Sequence, residues 1–63
     1  MPKLEYDAEA NAAYLRFSDA TVADSEELTA GIILDYDSEG KIVALEILSA
    51  REHLSPEVLS EAA

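Results

Sequence analysis

The sequence predicts an α+β domain: a four-stranded antiparallel sheet made of two hairpins, with a C-terminal helix packed on one face. Three observations carry that expectation. Apolar residues alternate with polar ones along Lys3-Leu4-Glu5-Tyr6-Asp7 and again along residues 12–18, the period-two pattern of half-buried strands. Residues 31–48 hold two β-branched runs separated by Asp37-Ser38-Glu39-Gly40, a turn sequence. After Leu48 the spacing becomes helical and start signals appear.

Strands over 3–7 and 12–18 form the first hairpin. The loop between them opens and closes on turn-forming Asp7 and Asn11. Residues 18–30 are polar and acidic, with Val22 and Leu28 as the only sizeable apolar side chains. They read as a surface connection with a short extended piece near Glu26 to Leu28. Strands over 31–37 and 41–48 form the second hairpin, whose register has two solutions. Pairing Ile32, Leu34 and Tyr36 with Ile47, Leu45 and Val43 puts all six on one face and leaves Asp35, Asp37 and Glu46 on the other. A three-residue loop ending in Gly40 shifts the pairing by one and spreads apolar groups over both faces. The face pattern favours the first and the turn type the second; we take the first. Beyond the sheet, Ser49-Ala50-Arg51-Glu52 has capping-box spacing, and Ser55-Pro56 is a second helix start. A short turn over 50–54 and a helix over 56–62 are expected.

A 63-residue chain is one small domain, burying only about 60% of the surface its unfolded form exposes. Without cysteine it has no disulfides, and a lone histidine, His53, excludes a His-rich metal centre. The net charge of −10 argues against nucleic acid, whose phosphates need a basic footprint, and against anionic membranes. It suits a basic protein partner. Met1-Pro2-Lys3-Leu4 leads straight into Glu5, so neither a signal peptide nor a membrane span is expected, and a cytoplasmic location is the default.

Several residues resemble chemical sites. Asp35, Asp37, Glu39 and Glu46 stand at positions 1, 3, 5 and 12 of a calcium loop with Gly40 at position 6. An EF-hand needs helices on both sides, however, and these flanks are β-branched. The expectation is a solvated acidic hairpin, its acids Asp35, Asp37, Glu39 and Glu46 forming an interaction surface with no bound metal or cofactor. His53 reads as a surface residue near a helix C-terminus. Asp7, Glu9, Asp35 and Asp37 offer carboxylates for acid–base work, but so small a sheet has little room for the pocket this needs. Ser38 lies in no nucleophile-elbow context. Tyr6, Tyr14 and Tyr36 read as core-edge residues with wet hydroxyls, and Arg16 as the partner of a cross-strand acid.

Taken together, Tyr6-Asp7-x-Glu9-x-Asn11-Ala12, Tyr14-Leu15-Arg16-Phe17-Ser18, Glu26-Glu27, residues 31–37, Gly40-Lys41-Ile42-Val43 and Glu46-Ile47-Leu48-x-Ala50 resemble the small prokaryotic family called domain of unknown function 2283. Asn11 stands where that pattern has an aspartate, and Ala44 where it has a glycine. The resemblance implies a compact α+β domain of antiparallel strands and a terminal helix, with no established catalytic residues. Some members look like partners of small basic ribonuclease-like toxins, which implies an antitoxin-like role. A non-enzymatic interaction module is therefore the leading expectation. The alternatives are a self-associating structural homodimer and a carboxylate or metal enzyme using Asp35, Asp37 and Glu46.

Overall fold

The computed structural model describes residues 2–62. Strands β1 (Lys3–Asp7), β2 (Ala12–Arg16), β3 (Asp24–Thr29), β4 (Ile32–Tyr36) and β5 (Ile42–Leu48) precede two short helices, α1 (Ala50–His53) and α2 (Pro56–Ala62). The strands form one antiparallel sheet in the order β1-β2-β5-β4-β3. The two hairpins and both helical segments lie where the sequence places them.

The sheet has five strands, not the expected four. The additional one is β3, which lengthens the short extended piece read near Glu26 to Leu28 into a paired strand within the surface connection. All six of its residues are exposed, so it has no alternation to reveal it. Backbone pairing with β4 holds it in place. It is an edge strand, and acidic side chains together with a bulge that turns Leu28 outward are the usual protection of such an edge. Strand β2 is shorter than expected. It stops at Arg16 because the amides of Phe17 and Ser18 both donate to the Val43 carbonyl, at 2.8 and 3.2 Å, and the chain leaves the ladder there.

Both readings of the second hairpin prove partly right. Ile32 pairs with Ile47 and Leu34 with Leu45, as the face pattern requires. The register then shifts after Asp35↔Ala44, so that Tyr36 opposes Ile42 rather than Val43. The extra residue accommodates the turn, where the Gly40 amide donates to the Asp37 carbonyl at 3.0 Å and Gly40 adopts φ +78°. A bulge thus separates the face pattern from the turn geometry, and the two need not conflict.

One face of the sheet carries the core. Ala13, Ile47 and Ala50 are buried there against Leu4, Tyr6, Ile32, Leu45, Leu54 and Leu59. Helix α2 starts as expected, its Val58 amide reaching Ser55 Oγ at 3.4 Å. Helix α1 does not use the expected capping box. Ser49 sits in the left-handed region at φ 53° and makes no side-chain cap. The cap comes from the first hairpin instead: the Asn11 carbonyl accepts from the Ala50 amide at 2.8 Å, and Asn11 Oδ1 accepts from the Arg51 amide at 2.9 Å. Arg51 Nη1 donates in turn to the Tyr6 hydroxyl at 2.9 Å.

Candidate functional site

Both helices pack on the core face, and among the described residues no helix covers the other face of the sheet. Strand alternation and register define what it presents. One row runs Lys3, Arg16, Ala44, Asp35, Ser25 across all five strands, and the next runs Glu5, Tyr14, Glu46, Ile33, Glu27. Ala12 and Leu48 form part of a third. Ala44 is the small residue between Arg16 and Asp35, and it is fully buried.

Asp35 occupies the centre of this face and is only 1% exposed. That contradicts its expected place on a solvated rim. The Ser25 hydroxyl donates to Asp35 Oδ1 at 2.6 Å, tying the edge strand to the sheet. Glu46 lies diagonally across the β4–β5 pair, within side-chain reach on the same face. Its hydrogen bond to Asp35, followed by desolvation, raises the Glu46 carboxyl above its ordinary value of 4.5. Burial first, and then the nearby Asp35 charge, also raise the Tyr14 phenol, which stays neutral. The Arg16 guanidinium lies 4.9 Å from the centroid of the Tyr14 ring, a cation–π distance, and pairs with no acid among the described residues.

The other acids singled out in the sequence are elsewhere. Asp37 Oδ1 accepts from the amides of Glu39 and Lys41, both at 2.9 Å, so it is a turn-capping residue. Glu39 is exposed at the turn. Asp35 and Glu46 therefore meet, Asp37 and Glu39 do not join them, and β-strands flank the segment where an EF-hand has helices. Among the described residues no group of three or more His, Cys, Asp or Glu side chains is placed to hold a metal ion. His53 Nδ1 lies 3.1 Å from the Leu48 carbonyl and 3.2 Å from that of Ser49. The Tyr36 hydroxyl donates to Glu26 Oε1 at 2.9 Å, and that bond is the first cause raising the phenol.

Sequence reasoning missed Ser25 and Ala44 as parts of this site. One signal was present: Ile32, Ile33 and Leu34 are consecutive, so β4 presents apolar groups on both faces and neither is fully wet. A shallow groove of about 270 Å³ opens beside the pair, lined in part by Ala12, Tyr14, Glu46 and Leu48. No helix among the described residues is long and apolar enough to cross a membrane.

These features define a small acidic α+β domain, with helices on one face of an antiparallel sheet and a carboxyl pair set into the other. Residues 3–51 match the family model Protein of unknown function (DUF2283), and the chain belongs to that family. The match spans all five strands and the start of α1, and so includes Tyr14, Arg16, Asp35 and Glu46. No curated protein and no solved structure matches the chain.

Proposed function

We propose that this chain is a non-enzymatic interaction module that docks a basic protein along its acidic edge strand. The observation that carries the reading is β3: six exposed residues at the sheet edge, with Asp24, Glu26 and Glu27 among them. β3 pairs with β4 alone, which leaves its outer backbone groups free to accept another strand. The acids are also largely uncompensated. Among the described residues the one ion pair within 4.0 Å joins Lys3 and Glu5, at 3.8 Å, against a net charge of −10.

A field of that sign steers basic partners toward the domain and repels nucleic acid. The groove beside Glu46 is shallower than the pockets that enclose small substrates, which supports a binding role over catalysis. The specific form we favour is antitoxin-like neutralisation of a small basic ribonuclease-type toxin, in keeping with the family resemblance and the charge. Such a toxin must itself carry a basic RNA-binding surface, and an acidic strand is a natural competitor for it.

The test is co-purification with the product of a neighbouring open reading frame that encodes a small basic protein. The complex should form at about 50 mM salt and weaken strongly at about 500 mM, where the screening length falls to a few ångströms. Glu26→Lys with Glu27→Lys should abolish it. A complex indifferent both to salt and to the two reversals would refute the proposal.

A further inference from the structure

The uncovered face combines three features that a solvated face does not need. It holds half-buried Tyr14 and Ile33 beside Leu48, which is 44% exposed. It carries Arg16, which has no carboxylate within 4.0 Å among the described residues although the chain is strongly acidic. It also carries Glu46, half-buried and adjacent to Asp35. Cation and carboxyl stand on neighbouring central strands, Arg16 opposite Ala44 on β5 and Glu46 opposite Tyr14 on β2.

We propose that this face docks a second copy of the chain, in a two-fold sheet-to-sheet contact where Arg16 of each copy meets Glu46 of the other. A two-fold contact uses the same patch twice, so that patch must hold both halves of every complementary pair. Arg16 and Glu46 satisfy that condition. The centre of the face sets one guanidinium beside two carboxyls, while most of the charge of −10 lies on β3, the turns and the helices.

Size agrees as well. The Cα extents are 34 × 26 × 17 Å, and the 17 Å dimension is filled by one sheet and one helix layer. The two longer dimensions give a face of the order of the ~800 Å² per partner that stable interfaces bury. A second sheet at about 10 Å would cover Tyr14, Ile33 and Leu48 and enlarge a core that is small for an independent domain.

Two copies that each carry −10 repel one another, so added salt strengthens this contact, whereas it weakens binding of a basic protein at β3. The two proposals therefore fail separately. Sedimentation velocity of the wild-type chain at about 100 μM and about 0.3 M salt should give twice the 6.8 kDa chain mass. Ile33→Glu should give a monomer with an unchanged circular-dichroism spectrum. Leu48→Glu, at a position already exposed in the monomer, covers the case in which Ile33→Glu does not fold. Arg16→Glu should dissociate the dimer, Arg16→Glu with Glu46→Arg should restore it, and Glu26→Lys, on the core-side face of β3, should leave it intact. A wild-type monomer under these conditions, a folded Leu48→Glu dimer, or Arg16→Glu without effect would overturn the proposal.

Discussion

Replacing Asn11 with alanine tests how this small domain joins its sheet to its helices. Asn11 Oδ1 accepts the Arg51 amide at 2.9 Å and its carbonyl accepts that of Ala50 at 2.8 Å, with the backbone held at φ 53°. Alanine keeps the carbonyl but loses the side-chain cap, a loss of about 1 kcal/mol. It also loses the short polar side chain that makes the left-handed backbone tolerable, at a cost of another ~1 kcal/mol. The combined loss of about 2 kcal/mol is large for a 63-residue domain, whose core supplies only about 3–5 kcal/mol. An unfolding entropy of about 2.1 cal/mol/K per residue converts it to a fall of roughly 15 °C in Tm. Thermal melts followed by circular dichroism should rank the variants in a definite order. Asn11→Asp keeps the acceptor and should melt within about 3 °C of wild type. Asn11→Gly relieves the backbone but not the cap and should lie midway. An alanine variant melting within about 4 °C of wild type would refute the reasoning.

Two further predictions concern the face and the turns. Glu46 is raised in the folded state, so the stability its proton contributes is complete below the unfolded value near 4.5 and is lost as pH rises through the raised folded value. The wild-type Tm should therefore fall from about pH 4.5 toward neutrality more steeply than that of Glu46→Gln, whose amide keeps donating to Asp35; parallel pH profiles would contradict the shared proton. Gly31 and Gly40 both have positive φ, but only at Gly31 would a Cβ press on neighbours, the Leu48 carbonyl at 3.3 Å and the His53 ring at 3.4 Å. Gly40→Ala should cost about 1 kcal/mol of backbone strain and Gly31→Ala measurably more, with equal losses counting against the packing of His53 over the turn.

What the sequence made legible follows the range of the interactions involved. Helix α2 was readable because Ser55-Pro56 sits beside the helix it starts, and the Ile32↔Ile47 and Leu34↔Leu45 pairs because alternation records a buried face. Strand β3 was legible only as a short extended piece near Glu26 to Leu28, since an edge strand held by backbone bonds can carry any polar side chain. The α1 cap was misassigned to Ser49 because the true cap, Asn11, lies 40 positions from Arg51 and is brought near only by the β2–β5 pairing. Asp35 read as solvated because its cover comes from side chains on other strands. Ser25 on β3, Tyr14 on β2 and Glu46 on β5 close over it, and no local pattern announces them.

Titration of the Glu46 side-chain carboxyl carbon by NMR tests most directly whether the uncovered face is built around a shared proton. The expected midpoint lies clearly above 4.5 in the wild type and moves back toward it in Asp35→Asn, where the neighbouring carboxylate is gone. A wild-type midpoint at or below 4.5 would mean that Glu46 is a free surface acid and that Asp35 is not its partner.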